Sequence, residues 1–356
     1  MNVSSKRLIA LLLSLIMCWS LAACGSNTAS SGEITTVFTD SCGRNVEVPA
    51  QIDGIAVTGP LAQIIVFALA PDKLVGIANA WDNIALAYIP ESYTQLPVLG
   101  QLYGGKGGGD LNPETLLQSG AQVVIDVGEA KEGIAEDMDS LQAQTGIPFV
   151  HIDAQLDTLD ETYIMLGQLL NLEKDATVLS DYCRNVYDRT VSIANSVDKV
   201  NLLYLLGDAG CNVIARDSYH SEVIDLLSNN LAVVDSPSSK GTGNEVDMEQ
   251  ILLWDPDYIL FAPDSVYDSV SDDTAWQQVT AIANGHYCEV PEGPYNWMGF
   301  PPSAQRLLGM IWMAYVLYPD ACGYDLYEEV AQYFQLFYHT ELTQSQFDQL
   351  IENSLM

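Results

Sequence analysis

The chain has 356 residues, of which 48% are hydrophobic and 17% charged, and its formal net charge is −34 at pH 7. This length has room for about two domains of ordinary size, and the apolar content supplies real cores, which excludes an intrinsically disordered chain. A charge this negative repels phosphate backbones and argues against a nucleic-acid partner.

The N-terminus has the pattern of an export signal. Two basic residues precede an apolar run at 8–23, and its 16 residues fall short of the about 20 that cross a membrane. The run ends in Leu-Ala-Ala followed by Cys24, which looks like a bacterial lipobox whose cysteine takes the lipid. We predict a lipoprotein signal peptide at 1–23 and a flexible tether at 24–33, with an uncleaved anchor as the alternative. Cleavage would leave a charge of −36, because both basic residues are removed.

Short apolar segments alternate with helical segments through the next part of the chain. Residues 38–49 alternate around a turn and predict a β-hairpin. Strands are then predicted at 55–59, 73–78, 123–128 and 147–153, and helices at 61–70, at 112–120 and in a polar stretch that ends at Thr145. This βα alternation predicts a mainly parallel sheet with both faces covered. We assign residues 34–155 to an N-terminal lobe.

A long helical run from 156 to 197 follows, with a short interruption possible at Asn171. The alternation then restarts, with apolar or helical segments at 201–207, 212–216, 221–228, 231–235, 257–262, 286–291, 303–319 and 324–339. We assign 198–356 to a C-terminal lobe. The predicted fold class is α/β, with two lobes that each hold a mainly parallel sheet flanked by helices and are joined by one long interlobe helix. Ligands of such sheets bind beyond the carboxyl ends of the strands, so a cleft between the lobes is the expected site.

One segment of the chain is repeated. LNPETLLQSGAQVVI at 111–125 aligns without gaps on VDMEQILLWDPDYIL at 246–260, which superimposes Glu114 on Glu249. The preceding loops, GGKGGGD and SSKGTGNE, each contain Lys-Gly-x-Gly. A fixed offset over some twenty residues indicates an internal duplication.

These motifs together resemble a known family. The lipobox, the hairpin TDSCGRNVEVP, the segment IAVTGPLAQIIVFALAPDKLVGI and both repeated blocks are similar, in this order, to the solute-binding proteins of bacterial ABC importers for iron chelates, haem and cobalamin. The segment PYNWMGFPPSAQRLLGMIWMAYVLYP at 294–319 resembles a branch that handles metals or their complexes, including oxyanions. The resemblance extends over nearly the whole mature chain.

The resemblance implies a function and partners. It implies a monomer without catalysis or cofactor, lipid-anchored through Cys24 on the extracytoplasmic side of the cell membrane. Such a protein captures an iron(III) complex or related metal chelate and delivers it to an ABC permease dimer with its ATPase; a haem or cobalamin binder and a molybdate-type oxyanion binder are alternatives. Glu114 and Glu249 match the glutamates that dock into arginine pockets of the two permease subunits, although each could merely favour the first turn of its helix.

The candidate solute contacts are basic and aromatic residues in predicted loops. Lysines in glycine-rich turns can bind an anion together with backbone N–H groups, and aromatic faces pack against a macrocycle or chelate. The predicted contacts are Pro60, Trp81, Tyr103, Lys106, Arg216, Tyr219, His220, Lys240, Trp297 and Met298. If the cargo is haem or a directly ligated metal, His220 and Tyr219 are the predicted ligands. For the basic residues, solvated surface positions are the alternative.

Enzymatic function has little support in the sequence. HExxH, GxSxG and dinucleotide-binding motifs are missing from the 356 residues. A chelatase-like enzyme is the alternative of another class, because chelatases have similar bilobal folds, but they lack a lipobox. The cysteines after Cys24 include no CxxC pair, so buried free thiols are expected.

Overall fold

The computed structural model describes residues 34–102, 109–263 and 265–356. Within these ranges, none of the helices is both long enough and apolar enough to cross a membrane. The signal peptide, the tether and Cys24 lie outside the described residues and remain predictions, as do Tyr103 and Lys106 in the first glycine-rich loop.

A hairpin of β1 (Thr35–Thr39) and β2 (Asn45–Pro49) forms a two-stranded sheet, which confirms the hairpin predicted at 38–49. Gly43 occupies its turn at φ +75°, where a side chain would be strained. Arg44 fixes the hairpin to the N-terminal lobe, since its guanidinium lies 3.0 Å from a carboxylate oxygen of Asp40 and 2.7 Å from one of Asp139.

The N-terminal lobe is called lobe one below, and the C-terminal lobe is called lobe two. Lobe one is built on a parallel sheet in the order β3 (Ile55–Val57), β4 (Val123–Gly128) and β5 (Phe149–Asp153). Every residue of β4 is buried, as expected for a central strand covered on both faces. The strand predicted at 73–78 is reduced to two isolated bridges, because Leu74 pairs with Ile55 and Ile77 pairs with Val98.

The helices of lobe one are α1 (Pro60–Leu69), α2 (Pro113–Ser119) and α3 (Ile134–Thr145). Proline occupies the first helical position of both α1 and α2, where its missing N–H has no intrahelical partner to lose. Helices α2 and α3 each end at a glycine in the left-handed conformation.

The helical run between the lobes consists of α4 (Leu159–Leu170) and α5 (Glu173–Ser196). They meet at Asn171, which adopts a left-handed conformation at φ 56° and ends α4. Helix α5 has 24 residues, which corresponds to about 36 Å at ~1.5 Å per residue.

Lobe two contains a larger mixed sheet in the order β11-β10-β6-β7-β9, with β8 also beside β6. Its strands are β6 (Asn201–Leu206), β7 (Asn212–Val213), β8 (Asn229–Asn230), β9 (Asn244–Glu245), β10 (Tyr258–Phe261) and β11 (Tyr287–Glu289). Strand β10 is parallel to β11 and β6, and β6 is parallel to β8, whereas β7 is antiparallel to both β6 and β9. Helices α6 (Glu222–Leu227), α7 (Met248–Trp254) and α8 (Thr280–Asn284) belong to this lobe.

The C-terminal helices are α9 (Arg306–Leu317), α10 (Pro319–Cys322), α11 (Leu326–Phe337) and α12 (Gln344–Leu350). They reach back to lobe one, where the ring of Phe334 contacts Tyr88 at 5.3 Å and His339 Nε2 lies 3.2 Å from the carbonyl oxygen of Phe67. The main hydrophobic core accordingly contains residues from both lobes, α5 and these helices. A shared core of this kind restricts the motion of one lobe against the other.

Candidate functional site

The duplicated glutamates lie on two short helices of the same design. Glu114 is in the first turn of α2, and Glu249 is in the first turn of α7; both side chains are exposed. The side chain of Asn112 caps α2 by accepting from the N–H groups of Glu114 and Thr115 at 2.9 and 3.1 Å. Asp247 caps α7 by accepting from the N–H of Gln250 at 2.8 Å.

A cavity of 650 Å³ lies between segments of the two lobes. Lobe one contributes Glu129, which directly follows β4, and Gln155, and the segment between β5 and α4 continues the wall with Leu156 and Asp157. Tyr187 of α5 forms another wall, and lobe two contributes residues between 217 and 226. The cavity therefore opens beyond the carboxyl ends of two parallel strands, where this class of sheet binds ligands.

Carboxylates dominate the lining. Glu129, Asp157, Asp217, Glu222 and Asp225 account for five of its eleven residues, and none of the eleven is lysine or arginine. None of these five acids is among the solute contacts predicted from the sequence. Their position directly after predicted strands and around the segment RDSYHSEV was a feature that could have indicated a site. Acids are common throughout this chain, however, so the feature did not single them out.

Arg306 at the start of α9 is almost completely buried and connects the lobes. Its guanidinium forms an ion pair with Glu222, and its Cζ lies 4.9 Å from the ring centroid of Tyr219. Glu222 also accepts from the N–H of Leu156 at 3.2 Å, and the Tyr219 hydroxyl donates to the carbonyl oxygen of Ala154 at 2.5 Å. Ala154 at the end of lobe one and Leu156 in the segment that follows it are thus held by a cluster in lobe two.

Burial shifts the ionisation of this cluster. Desolvation lowers the pKa of Arg306 below its ordinary value, with Tyr219 opposing the shift. Desolvation also raises the pKa of the Tyr219 hydroxyl, although the positive charge of Arg306 opposes the rise. Tyr219 is therefore a neutral hydrogen-bond donor at physiological pH.

His220 lies beside this cluster in a mostly buried position. Its ring stacks on Phe300 with a centroid distance of 5.1 Å and an interplanar angle of 12°. The Nδ1 atom is buried and has no hydrogen-bond partner among the described residues. Burial lowers the pKa of His220 below its usual value, and the charge of Arg306 contributes in the same direction. A neutral imidazole with a free nitrogen is chemically able to ligate a metal.

The two described basic candidates have different surroundings. Arg216 is half-buried and donates from its guanidinium to the carbonyl oxygen of Asn230. Lys240 is exposed, and its loop approaches Phe300 so closely that a Cβ on Gly241 would lie 2.9 Å from the ring. In the described ranges, neither Arg216 nor Lys240 forms an ion pair with a carboxylate.

Three predicted solute contacts lie in the core, contrary to their expected exposure in the cleft. Trp81 is 6% exposed and donates from Nε1 to the carbonyl oxygen of Tyr93 at 3.0 Å. Trp297 and Met298 are fully buried, and the Trp297 indole donates to Gly293 at 2.9 Å. Backbone acceptors satisfy both indole N–H groups, which removes the obstacle to burying them. Pro60 is half-buried at the first position of α1.

A buried polar cluster at the carboxyl ends of the lobe-one strands was not predicted as a unit. Asp126 of β4 accepts from the Thr58 hydroxyl and lies 2.7 Å from Nδ1 of His151 in β5. The Nε2 of His151 is buried and has no partner among the described residues. The hydroxyl bonds to the carboxylate and not to the imidazole, so this arrangement does not activate a nucleophile.

The described residues contain no group of three His, Cys, Asp or Glu residues that could hold a metal ion. The five described cysteines are free thiols, as expected, but only Cys183, Cys288 and Cys322 are buried, whereas Cys42 and Cys211 are partly exposed. Desolvation raises the pKa of the buried thiols Cys183 and Cys288, which makes them poor nucleophiles.

Comparison with known proteins identifies the class. A family model described as periplasmic binding protein matches residues 55–293, well over half of the chain. The chain therefore belongs to the periplasmic binding protein family; it is a solute-binding protein of the kind that serves ABC transporters outside the cytoplasm and not an enzyme.

Individual relatives support the fold. An ABC transporter solute-binding protein from Sulfurospirillum deleyianum has a TM-score of 0.79 at 24% identity, over 89% of this chain and 99% of that chain. The molybdate-binding protein MolA of Haemophilus influenzae is 33% identical over 100 residues, which span 27% of this chain and 28% of MolA. The structure of MolA bound to molybdate has a TM-score of 0.69 at 20% identity, over 86% of this chain and 99% of that chain.

Proposed function

We propose that this protein captures an iron(III) complex or a related metal chelate between its lobes and delivers it to a permease. The observation that carries the proposal is the 650 Å³ cavity lined by residues from both lobes and from α5. Its volume lies in the range of about 300–1,000 Å³ that is usual for small-molecule sites. A bare ion or a tetrahedral oxyanion would occupy only a small part of that space.

A molybdate-type oxyanion is the second candidate. It is supported by the similarity to MolA and by Arg216 and Lys240, which have no carboxylate partner among the described residues. The carboxylates around the cavity oppose it, since like charges about 4 Å apart repel by ~1 kcal/mol even in bulk water. An oxyanion would therefore have to bind nearer to Arg216 and Lys240 than to the cavity.

A haem or cobalamin complex is a third candidate, with a specific ligand. The Tyr219 hydroxyl already bonds to lobe one, whereas the Nδ1 of His220 is free among the described residues. His220 is thus the better axial ligand of the two. Access to it would require Phe300 to move, because the two rings are stacked.

Delivery of the solute requires a surface that contacts the permease and a position at the cell membrane. We propose that Glu114 and Glu249 contact the two subunits of an ABC permease, whose ATPase drives uptake. Their supporting features are exposure, equivalent helical positions and the internal duplication. We also propose that the protein is a monomer on the extracytoplasmic side of the cell membrane, lipidated at Cys24; the lipobox sequence supports the anchor.

Native mass spectrometry of protein purified from its own host tests the cargo. We expect a bound species whose mass and isotope pattern match a metal chelate. Titrations with a ferric trihydroxamate, haem, cobalamin and molybdate should then show saturable 1:1 binding of the chelate. Stoichiometric binding of molybdate without any chelate binding would replace this proposal with the oxyanion function.

A further inference from the structure

We infer that the cavity between the lobes binds a cationic group of the ammonium class that is carried by the solute. The inference deepens the proposed function and rests on the cavity as the place where solute is held. Acids make up five of the eleven described lining residues, compared with 47 of 356 in the whole chain, and none of these eleven residues is basic. The acidity is thus concentrated here beyond the general acidity of the protein.

Two of the five carboxylates are already used by the fold. Glu222 pairs with Arg306 and accepts from the N–H of Leu156. Asp225 accepts from the Ser221 hydroxyl at 2.6 Å, among other donors. These two groups shape the wall and are not available as the principal ligands.

The other three carboxylates have no such partners. Glu129, Asp157 and Asp217 are exposed, and none of their carboxylates forms a hydrogen bond or ion pair with another described residue. They come from both sides of the cavity, since Glu129 lies in lobe one, Asp157 lies in the segment that leads into α4, and Asp217 lies in lobe two. A cation placed in the cavity would be attracted by both lobes at once, and its positive charge would offset their mutual repulsion.

A buried hydroxyl in the same lining points independently to a ligand. Ser218 is 9% exposed, and its Oγ is buried with no hydrogen-bond partner among the described residues. Its backbone is engaged by Ser221, so the side chain is held in position. Buried polar atoms are nearly always hydrogen-bonded, and a ligand N–H donor would satisfy this oxygen.

The rest of the lining suits an organic cation rather than a bare ion. No three of the described acids converge closely enough to share one metal ion. Leu156 and Leu226 provide apolar surface for the methylene groups of an alkylamine, and the ring of Tyr187 provides an aromatic wall. A protonated amine on a flexible arm matches dispersed carboxylates, a hydroxyl acceptor and apolar surface.

The test uses two probes that differ in a single charge. One is the ferric complex of a linear trihydroxamate that ends in a primary amine, and the other is the same complex with that amine acetylated. Isothermal titration should give a Kd about 10-fold or more lower for the amine form, and raising the salt concentration should reduce the difference. The variant Glu129→Gln with Asp157→Asn should reduce the ratio of the two Kd values from about 10-fold to about 2-fold or less.

A matched control removes one glutamate and one aspartate outside the cavity, as Glu352→Gln with Asp268→Asn, and should change neither Kd. A Tm close to that of wild type shows that the cavity variant is folded. Equal affinity of wild type for the two complexes overturns the inference and leaves the chelate function intact. Binding of a simple linear diamine without binding of either complex supports the cationic site and overturns the chelate function. If neither complex nor the diamine binds, the inference is wrong.

Discussion

The outer surface of the two lobes is repeated, whereas their inner polar clusters are not. Helices α2 and α7 each begin with a side-chain cap, expose a glutamate in the first turn and bury one aliphatic residue, Leu116 in α2 and Ile251 in α7. Two equivalent surfaces on one chain suit a partner with two-fold symmetry.

The polar clusters inside are different in kind. In lobe one, Asp126 connects Thr58 with His151; Asp126 and His151 belong to one sheet, and Thr58 directly follows its strand β3. In lobe two, Arg306 and Glu222 form contacts that extend to the other lobe. A solute need not share the two-fold symmetry of the proposed permease, so an internal duplication would keep the outer surface while the inner residues diverge.

The largest effect is expected from reversing both repeated charges. Glu114→Arg combined with Glu249→Arg would place cations against the arginine pockets that we propose, and like charges at an interface cost several kcal/mol. Uptake by cells should fall to background. The Kd for the solute and the Tm should be nearly unchanged, because exposed substitutions typically change stability by no more than about 0.5 kcal/mol.

A matched variant, Glu341→Arg with Glu352→Arg, makes the same change in charge at other exposed positions and should leave uptake near the wild-type rate. If it abolishes uptake equally, the effect comes from net charge and not from docking. Loss of solute binding in the Glu114 and Glu249 variant would place these residues in the wrong role.

Of the two inner clusters, the one that bridges the lobes should lose more free energy of unfolding when one of its residues is replaced. Glu222→Leu leaves the buried guanidinium of Arg306 without its partner, and breaking a buried pair in this way costs about 3–5 kcal/mol. Urea denaturation should show that loss. Arg306→Met should cost less, because the Glu222 side chain is 24% exposed and can be hydrated. The double variant should be more stable than the sum of the two single losses predicts; additive losses would show that the pair is not coupled.

Replacing a residue of the cluster in lobe one should cause a smaller loss of stability that is confined to that lobe. Asp126→Asn keeps the shape of the side chain but weakens its bonds to Thr58 and His151, at a cost of about 1–3 kcal/mol. Hydrogen exchange should increase in β3, β4 and β5 and not in lobe two. The exposed substitution Glu136→Gln on α3 is the control. Equal increases in both lobes would contradict the view that this cluster acts within one lobe.

Much of the fold was predictable because its signals are local. The bounds of helix α2 can be read from the sequence. Asn112 is its N-cap, Pro113 is its first helical residue, and Gly120 ends it in a left-handed conformation. The segment 73–78 has the same apolar character as a strand, but its two ends bridge to different partners. Whether an apolar segment becomes a strand depends on pairing with distant residues, which periodicity does not reveal.

The candidate site was less predictable for the same reason. Glu222 and Arg306 are 84 positions apart, so their pairing could not be read from spacing. Trp81 and Trp297 lie outside regular helices and strands, and such aromatic residues face either a cleft or a core. The outcome depended on backbone acceptors that only the folded chain supplies.

The smallest effect is expected from His220 of lobe two, whose protonation makes the stability of the protein depend on pH. Burial lowers its pKa in the folded chain, and the positive charges of Arg306 and Lys131 act in the same direction. Above pH about 6.5 the histidine is neutral in both folded and unfolded chains and contributes nothing to the pH dependence. As the pH falls below that value, the unfolded chain binds the proton first, so stability is lost until the lower pKa of the folded chain is reached.

Wild-type protein should therefore lose more Tm between pH 7.5 and pH 5 than the variant His220→Gln, by a few degrees. The exposed substitution Asn284→Gln elsewhere in lobe two is the control and should retain the wild-type slope. If His220→Gln loses as much Tm as wild type on acidification, the imidazole is not held neutral by its surroundings. Its free Nδ1 would then be a weaker reason to consider it as an axial ligand, because a protonated imidazole cannot ligate a metal.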